Sequence, residues 1–226
     1  KSADLLRFDR NQAWLVATLA THYHPDLTAK VVEFWSEVAD VLLTRAWTEF
    51  GLENYTLLAL GKLGSSELNL SSDVDLIIVR PDGAPASVEN VHKFNSHMQE
   101  LTEYGFGFRL DYDLRPGGKA SPLVTSITEF ENYYGNHGAL WERLAFVRVR
   151  KVCGNPELGQ ALTDFAAKFS FRSHLDYSIR EGLKNLRRNI FAETPSRPGS
   201  LNLKLHPGGI RDIELFAHSL MVVYGG

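Results

Sequence analysis

Apolar residues recur at helical spacing through the first fifty positions. From Asn11 to Phe50 this spacing predicts two helices, broken at His24-Pro25, with Asp26 placed to cap the second. The apolar positions of that second helix include Val31, Val32, Phe34, Trp35, Val38, Val41 and Leu42, and the aromatics Trp14, Phe34, Trp35 and Trp47 fall at spacings that read as core. The pattern then shortens. Tyr55 to Leu60 (YTLLAL) and Val74 to Val79 (VDLIIV) are continuous apolar runs, ended by Gly61 and by Arg80-Pro81-Asp82-Gly83, and each predicts a buried strand. Ser87 to Tyr104 predicts a helix, Phe106 to Leu114 (FGFRLDYDL) alternates like a strand, and Arg115-Pro116-Gly117-Gly118 turns it. Together these strands imply a mixed sheet.

Beyond Ser126 the character is helical. Helices are predicted at Thr128 to Tyr134, Leu140 to Val152, Pro156 to Phe169, and from about Leu175 to Ala192. The loop ETPSRPGS follows, then LNLKLHPGG as a strand and GIRDIELFAHSLMVVYG as a closing helix. There is no internal repeat and no low-complexity tract.

Composition narrows the class. The 226 residues are 44% hydrophobic and 11% aromatic, enough for a sizeable core. The formal charge of -3, from 24 basic and 27 acidic residues, provides no global field toward nucleic acid or an anionic membrane. An anionic ligand must therefore be held locally. No run approaches the roughly 20 apolar residues of a membrane span. The single cysteine, Cys153, excludes an intramolecular disulfide framework and fits a reducing, cytoplasmic setting; it reads as a buried small apolar side chain. His22 and His24 flank a helix break and His92 and His97 are five apart, so no zinc spacing is present. The chain opens KSADLL, without an initiator methionine, and stops at VVYGG, as expected of a segment of a longer polypeptide.

Candidate chemistry is concentrated in GKLGSSELNLSSDVDLIIV, Gly61 to Val79. Side chains alternate along a strand, so Asp73 and Asp75 point one way while Val74 and Leu76 point into the core. Carboxylates held that close repel unless a cation lies between them, and all-oxygen ligation favours Mg²⁺ or Mn²⁺. Gly61, Gly64 and Ser65 form a turn able to bring N–H groups near a phosphate, with the Ser65 and Ser72 hydroxyls as donors. The strand RLDYDL adds Asp111 and Asp113, again on one face, and a third carboxylate there would complete a two-metal site.

Strand, glycine-serine turn, strand with DxD and a second acidic strand resemble the nucleotidyltransferase superfamily of DNA polymerase β. Four longer stretches are similar, in order and spacing, to the glutamine synthetase adenylyltransferase family: LGKLGSSELNLSSDVDLIIV, RLDYDLRPGGKASPLVTSITEFENYY, WERLAFVRVRKVCGNPEL and LKLHPGGIRDIEL. The resemblance covers roughly Leu57 to the end. It implies an α+β fold: a polymerase β-like mixed sheet as catalytic core (51–126), preceded by a helical segment (1–50) and followed by a helical region (127–226) that completes the active-site cleft.

Many members of that family are bifunctional. One domain transfers AMP from ATP to a tyrosine of glutamine synthetase, and the other removes it by phosphorolysis, releasing ADP. FSFRSHLDYSIREGLKNLRRNI with LKLHPGGIRDIELFAHSLMVVYGG is similar to the N-terminal, adenylyl-removing half, which implies adenylylated glutamine synthetase and phosphate as substrates. Forward transfer from ATP is the same-fold alternative, and a non-catalytic module docking on glutamine synthetase is the alternative of another class. The resemblance further implies two Mg²⁺ ions, with Mn²⁺ as substitute, and contact with the PII signalling protein through the longer parent chain. Nucleic acid and membrane are not implied.

Residue by residue, the resemblance implies Asp73, Asp75 and Asp111 as metal ligands, with Asp113 the competing third. Gly64, Ser65 and Ser72 would contact phosphate, Lys62 would support the turn or a phosphate, and Arg115 would balance the acids. Lys204 and Arg211, with Asp212 and Glu214, belong to the last motif, and Gly208-Gly209 before its helix suits an anion or plain loop geometry. Glu142, Arg143, Arg148 and Arg150 are placed on one helix, where ordinary ion pairing explains them. The chain departs from the family pattern at Ser65 and Ala59, commonly glycines, and at Asp113, commonly arginine.

Overall fold

Two long helices open the chain, α1 (Ser2–Tyr23) and α2 (Thr28–Glu49), separated at Pro25. The computed structural model describes residues 2–171, 178–192 and 202–225. Pro25 starts a short 3₁₀ turn, Pro25–Leu27, and Leu27 rather than Asp26 takes the cap position of α2, without a side-chain bond. The expected Asp26 cap is thereby corrected. Along α2 the buried stripe is Val31, Trp35, Ala39, Leu42 and Ala46. Phe34 and Val41 each sit one residue, about 100° of helix, off that stripe and are exposed. Trp14 on α1 is likewise exposed, while Trp35 and Trp47 are core residues.

Next come β1 (Thr56–Ala59), the short α3 (Gly61–Gly64), β2 (Val74–Arg80), α4 (Val88–Gln99), β3 (Leu110–Asp111), β4 (Val124–Ser126) and α5 (Ile127–Asn136). They are followed by α6 (Leu140–Phe146), β5 (Arg150–Gly154), α7 (Pro156–Ser170), α8 (Ser178–Ala192) and α9 (Ile210–Tyr224). The strands form a mixed sheet, as an α+β nucleotidyltransferase fold requires. β1 is antiparallel to both β2 and β5, and β3 and β4 lie parallel to β2 along its other edge. Val74, Leu76 and Ile78 of β2 join α2 and α4 in a core that includes Trp35, Trp47, Phe94 and Phe108. Trp47 meets Phe94 edge-on at 5.3 Å between ring centroids. Asp75 therefore lies on the opposite face of the sheet.

Three predicted elements differ. The helix expected over 140–152 stops at Phe146, and VRVRKVC contributes β5 instead, because alternating apolar and basic residues suit a strand that closes the second edge of β1. The strand expected over 106–114 is only Leu110–Asp111, since Gly107 and Phe108 donate their N–H groups to the Met98 carbonyl at the end of α4. The expected strand at LNLKLHPGG is a series of turns over 202–209, in which the Asn202 side chain accepts the N–H groups of Lys204 and Leu205 at 3.1 Å. The first three residues of the long helix begun at about Leu175 lie outside the described residues.

The chain divides into two compact units, one of Lys1–Tyr133 with Arg148–Asp164, the other of Tyr134–Val147 with Phe165–Gly226. In the second unit Tyr134, Phe146 and Phe169 form an aromatic cluster, with centroids 4.5 to 5.5 Å apart.

Candidate active site

Parallel pairing of β2 with β3 brings two carboxylates side by side. Val74 is in register with Leu110, and Asp75 with Asp111. Leu110 and Tyr112 face the core, and the Tyr112 hydroxyl donates to Asn95 Oδ1 at 2.6 Å, so alternation leaves Asp111 on the same face as Asp75. Burial pushes the Tyr112 phenol far above its ordinary value, making it an anchor and not an acid.

Asp73 precedes β2 by one residue and is engaged elsewhere. Arg109 donates from Nε to Asp73 Oδ1 and from Nη2 to the Ser71 carbonyl, each at 2.5 Å, and its guanidinium lies 5.7 Å from the centre of the Phe106 ring. The backbone holds this pair together, because Val74 N–H donates to the Arg109 carbonyl at 2.9 Å. Sequence reasoning gave Arg109 no role. Its position two residues before Asp111, on the same strand face, was the available signal.

The glycine turn packs directly on Asp75. Gly61 has φ +54°, and a Cβ there would overlap the Asp75 carboxylate. Leu60 N–H donates to the Asp75 carbonyl at 3.0 Å, locking the turn to β2. A Cβ on Gly64 would strike the Arg148 carbonyl, and the Gly64 N–H is taken up by Leu60 O at 2.9 Å. The Ser65 hydroxyl is bonded to Glu67 Oε2 at 3.1 Å, and also lies within reach of the Gly61 and Lys62 carbonyls. Lys62 Nζ donates to Ser72 Oγ at 3.3 Å, which in turn donates to Asn69 Oδ1 at 2.7 Å, so a lysine and a serine of the motif are adjacent. From β5, Arg150 donates to the Leu63 carbonyl from Nε and Nη2 at 3.1 and 2.9 Å and pairs with Asp40 at 2.9 Å. It therefore ties the turn to α2. Burial raises the Asp40 pKa above the usual carboxylate range, against the lowering effect of Arg150.

Asp113 lies past the end of β3. It forms an ion pair with Lys119 at 3.0 Å, and its N–H donates to Asp111 Oδ1 at 2.8 Å. The extra acid is thus matched by a local lysine. Arg115 spends its guanidinium on the carbonyls of Tyr112, Ser121 and Pro122 at 2.9 to 3.2 Å, bracing the loop between β3 and β4.

Lys204 and Arg211 belong to the second unit, where both side chains are exposed and the Arg211 N–H donates to the Lys204 carbonyl at 3.1 Å. Beside them Asp212 accepts two bonds from Arg187 at 2.6 and 2.7 Å and one from Gly208 N–H at 3.0 Å. The Arg187 hydrogen bond is the main reason its carboxyl titrates below the usual range. In the same unit Glu142 caps α6 through the Ala139 N–H, and Arg143 donates to the Phe169 and Ser170 carbonyls. Cys153 is buried in β5 and its thiol is pushed up to about 12.

Among the described residues no three His, Cys, Asp or Glu side chains are gathered closely enough to hold a metal ion. Asp75 and Asp111 are the adjacent pair, and Asp73 is turned onto Arg109. Among the described residues no helix is long and apolar enough to cross a membrane.

Residues 27–164 match the model of the family described as glutamate-ammonia ligase adenylyltransferase. Similar curated proteins are each named bifunctional glutamine synthetase adenylyltransferase/adenylyl-removing enzyme. That of Nitrosococcus oceani is 39% identical over 77% of this chain and 19% of its own length. That of Pseudomonas aeruginosa is 38% identical over the same shares. The Alteromonas mediterranea protein is 34% identical over 98% of this chain and 25% of its own length. The chain thus spans about a fifth to a quarter of the relatives it matches. The family match takes in α2, the glycine turn, both acidic strands and β5, and the chain belongs to the glutamate-ammonia ligase adenylyltransferase family.

Proposed function

We propose that this chain is an adenylyl-removing domain, which uses orthophosphate to cleave a tyrosyl-AMP linkage on glutamine synthetase and releases ADP. The observation that carries the chemistry is the register pairing of Asp75 with Asp111 against the Gly61 turn. Asp75 and Asp111 on one sheet face are oxygen donors of the kind that suit Mg²⁺ or Mn²⁺, and Asp73, one strand step away and paired with Arg109, would complete the set only on turning from that arginine. Bound there, the metal would neutralise phosphate oxygens as bonds to phosphorus change.

The chain's own residues have separable tasks. Asp75 and Asp111 would hold the cation, and Asp73 would be available to it only if released from Arg109. Lys62 and Ser72, already in contact, offer donors to a phosphate oxygen at the edge of the turn. Ser65 and the Gly64 backbone shape that edge. Lys204 and Arg211, two exposed cations of the second unit, are offered to the modified partner protein. An orthophosphate oxygen forms a bond to the α-phosphorus as the bond to the tyrosine oxygen breaks. The electron pair leaves on the phenolate, which takes up a proton, and the products are ADP and unmodified tyrosine.

The direction of the reading rests on the likeness of the 169–226 segment to the removing half, since the names of the relatives carry both activities. Incubation of the protein with adenylylated glutamine synthetase, Mg²⁺ and labelled phosphate should yield labelled ADP. Incorporation of label from ATP into unmodified synthetase, without ADP formed from phosphate, would assign the chain to adenylyl transfer instead.

A further inference from the structure

Helix α9 turns an apolar face outward. Ile210, Ile213, Phe216, Leu220, Met221 and Tyr224 are 43% to 79% exposed, and with Ala217, also exposed, they fill an arc of about 140° of the helix. Arg211 is the one charged residue that α9 exposes. Its other polar residues lie toward the protein: Asp212 is held by Arg187 and the Gly208 N–H, and Ser219 donates to the Leu215 carbonyl, on the side where Val222 is buried. A surface helix ordinarily shows the reverse arrangement. At about 200 Å² for a whole large side chain, the six large residues expose roughly 700 Å². That exceeds the largest apolar patch of a typical monomer, about 300–600 Å², and approaches the roughly 800 Å² that each partner gives to a standard interface.

The order of residues along this face is complementary to itself. Ile210, Ile213, Ala217, Leu220 and Tyr224 follow at steps of three, four, three and four, the spacing of a two-helix seam, and Ala217 is at the middle of the helix. We propose that this face pairs with the same face of a second copy of the chain, in an antiparallel, two-fold symmetric contact centred on Ala217. Turned end for end, Ile210 meets the partner's Tyr224 and Ile213 meets the partner's Met221, each contact occurring twice, as such symmetry requires. The small residue at the centre lets the two helix axes approach. A parallel arrangement would set the exposed Lys204 and Arg211 of one copy against the same cations of the other, whereas antiparallel pairing separates them by about 22 Å, the length of this 15-residue helix. With Arg211 as its only exposed charge, α9 has little by which to select a charged partner, and a formal charge of -3 per chain sets little repulsion between copies. The contact uses none of the acids on β2 and β3 and is independent of the direction of adenylyl chemistry.

The test is sedimentation equilibrium of the purified protein, which should show a reversible dimer at tens of micromolar. Ile213→Glu should weaken it by more than about 100-fold, because the two-fold axis buries the new carboxylate twice. Leu15→Glu, at an exposed apolar position on α1, should leave dimerisation unchanged. Circular dichroism melts establish that both variants are folded. Ala217→Cys should give a disulfide-linked dimer under mild oxidation and Ile210→Cys should not, Cys153 being buried and no competitor. If Ile213→Glu does not fold, this cysteine pair decides. A protein monomeric at tens of micromolar, an undiminished dimer in folded Ile213→Glu, an equal loss in Leu15→Glu, or cross-linking at 210 in place of 217 would each overturn the assignment and leave the face to another occupant.

Discussion

Arg109 holds Asp73 by a charged hydrogen bond of 2.5 Å and holds the carbonyl of Ser71 by a second. The guanidinium thus occupies the carboxylate that the family resemblance assigns to metal. Both side chains are about half exposed, so the pair contributes no more than about 1 kcal/mol to folding. Arg109→Met should leave the melting temperature nearly unchanged and lower the Mg²⁺ concentration needed for half-maximal ADP release. An unaltered Mg²⁺ requirement would show that Arg109 does not compete for Asp73.

Asp111 and Asp113 are separable. Asp111 is in register with Asp75, whereas Asp113 is exposed and paired with Lys119. Asp111→Asn should lower phosphorolysis by more than about 100-fold, above the usual cost of an outer-shell group. Asp113→Ala should retain most activity. Steady-state rates for both variants decide, and the reverse order would move the third ligand to Asp113.

Gly61→Ala should be costly twice. The residue sits at φ +54°, a conformation that costs an L-residue about 1–2 kcal/mol, and its new methyl group would meet Asp75 Cγ at 3.0 Å. The expected result is a melting temperature lower by about 2–8 °C, together with a strong loss of Mg²⁺-dependent activity. A stable variant with full activity would mean that Asp75 has another productive position.

Cys153 predicts a pH dependence. Its thiol is pushed from an ordinary 9.0 up to about 12, by burial first and by Asp40 to a lesser degree. Below pH 9 the thiol is protonated in both folded and unfolded states, and it adds no slope. Between about 9 and about 12 the unfolded chain alone releases its proton, so stability falls as pH rises. Denaturant unfolding of the wild type and of Cys153→Ala should diverge only above pH 9, the variant having the shallower decline. At pH 8 a thiol reagent should label the native protein slowly and the unfolded protein at once.

Local pattern was enough for the elements that matter most. VDLIIV is too apolar and β-branched to be anything but a buried strand, and period two alone put Asp73 and Asp75 on the face away from Val74 and Leu76. The same periodicity put Asp111 and Asp113 on one face without choosing between them; the choice of Asp111 came from the family resemblance that the long motifs carry. Where the signal was ambiguous, tertiary pairing overruled it: VRVRKVC continued a helical run on paper, yet β1 had an open edge and took it as β5. Likewise Gly64, legible as a phosphate turn, is glycine in this fold because the Arg148 carbonyl lies against it. Arg109 on Asp73, Arg150 on Leu63 and Arg7 on the Gly105 carbonyl share one property. Each joins residues between 36 and 98 positions apart. Periodicity reports which way a side chain points, but which distant group it meets is decided only when the sheet and helices have packed.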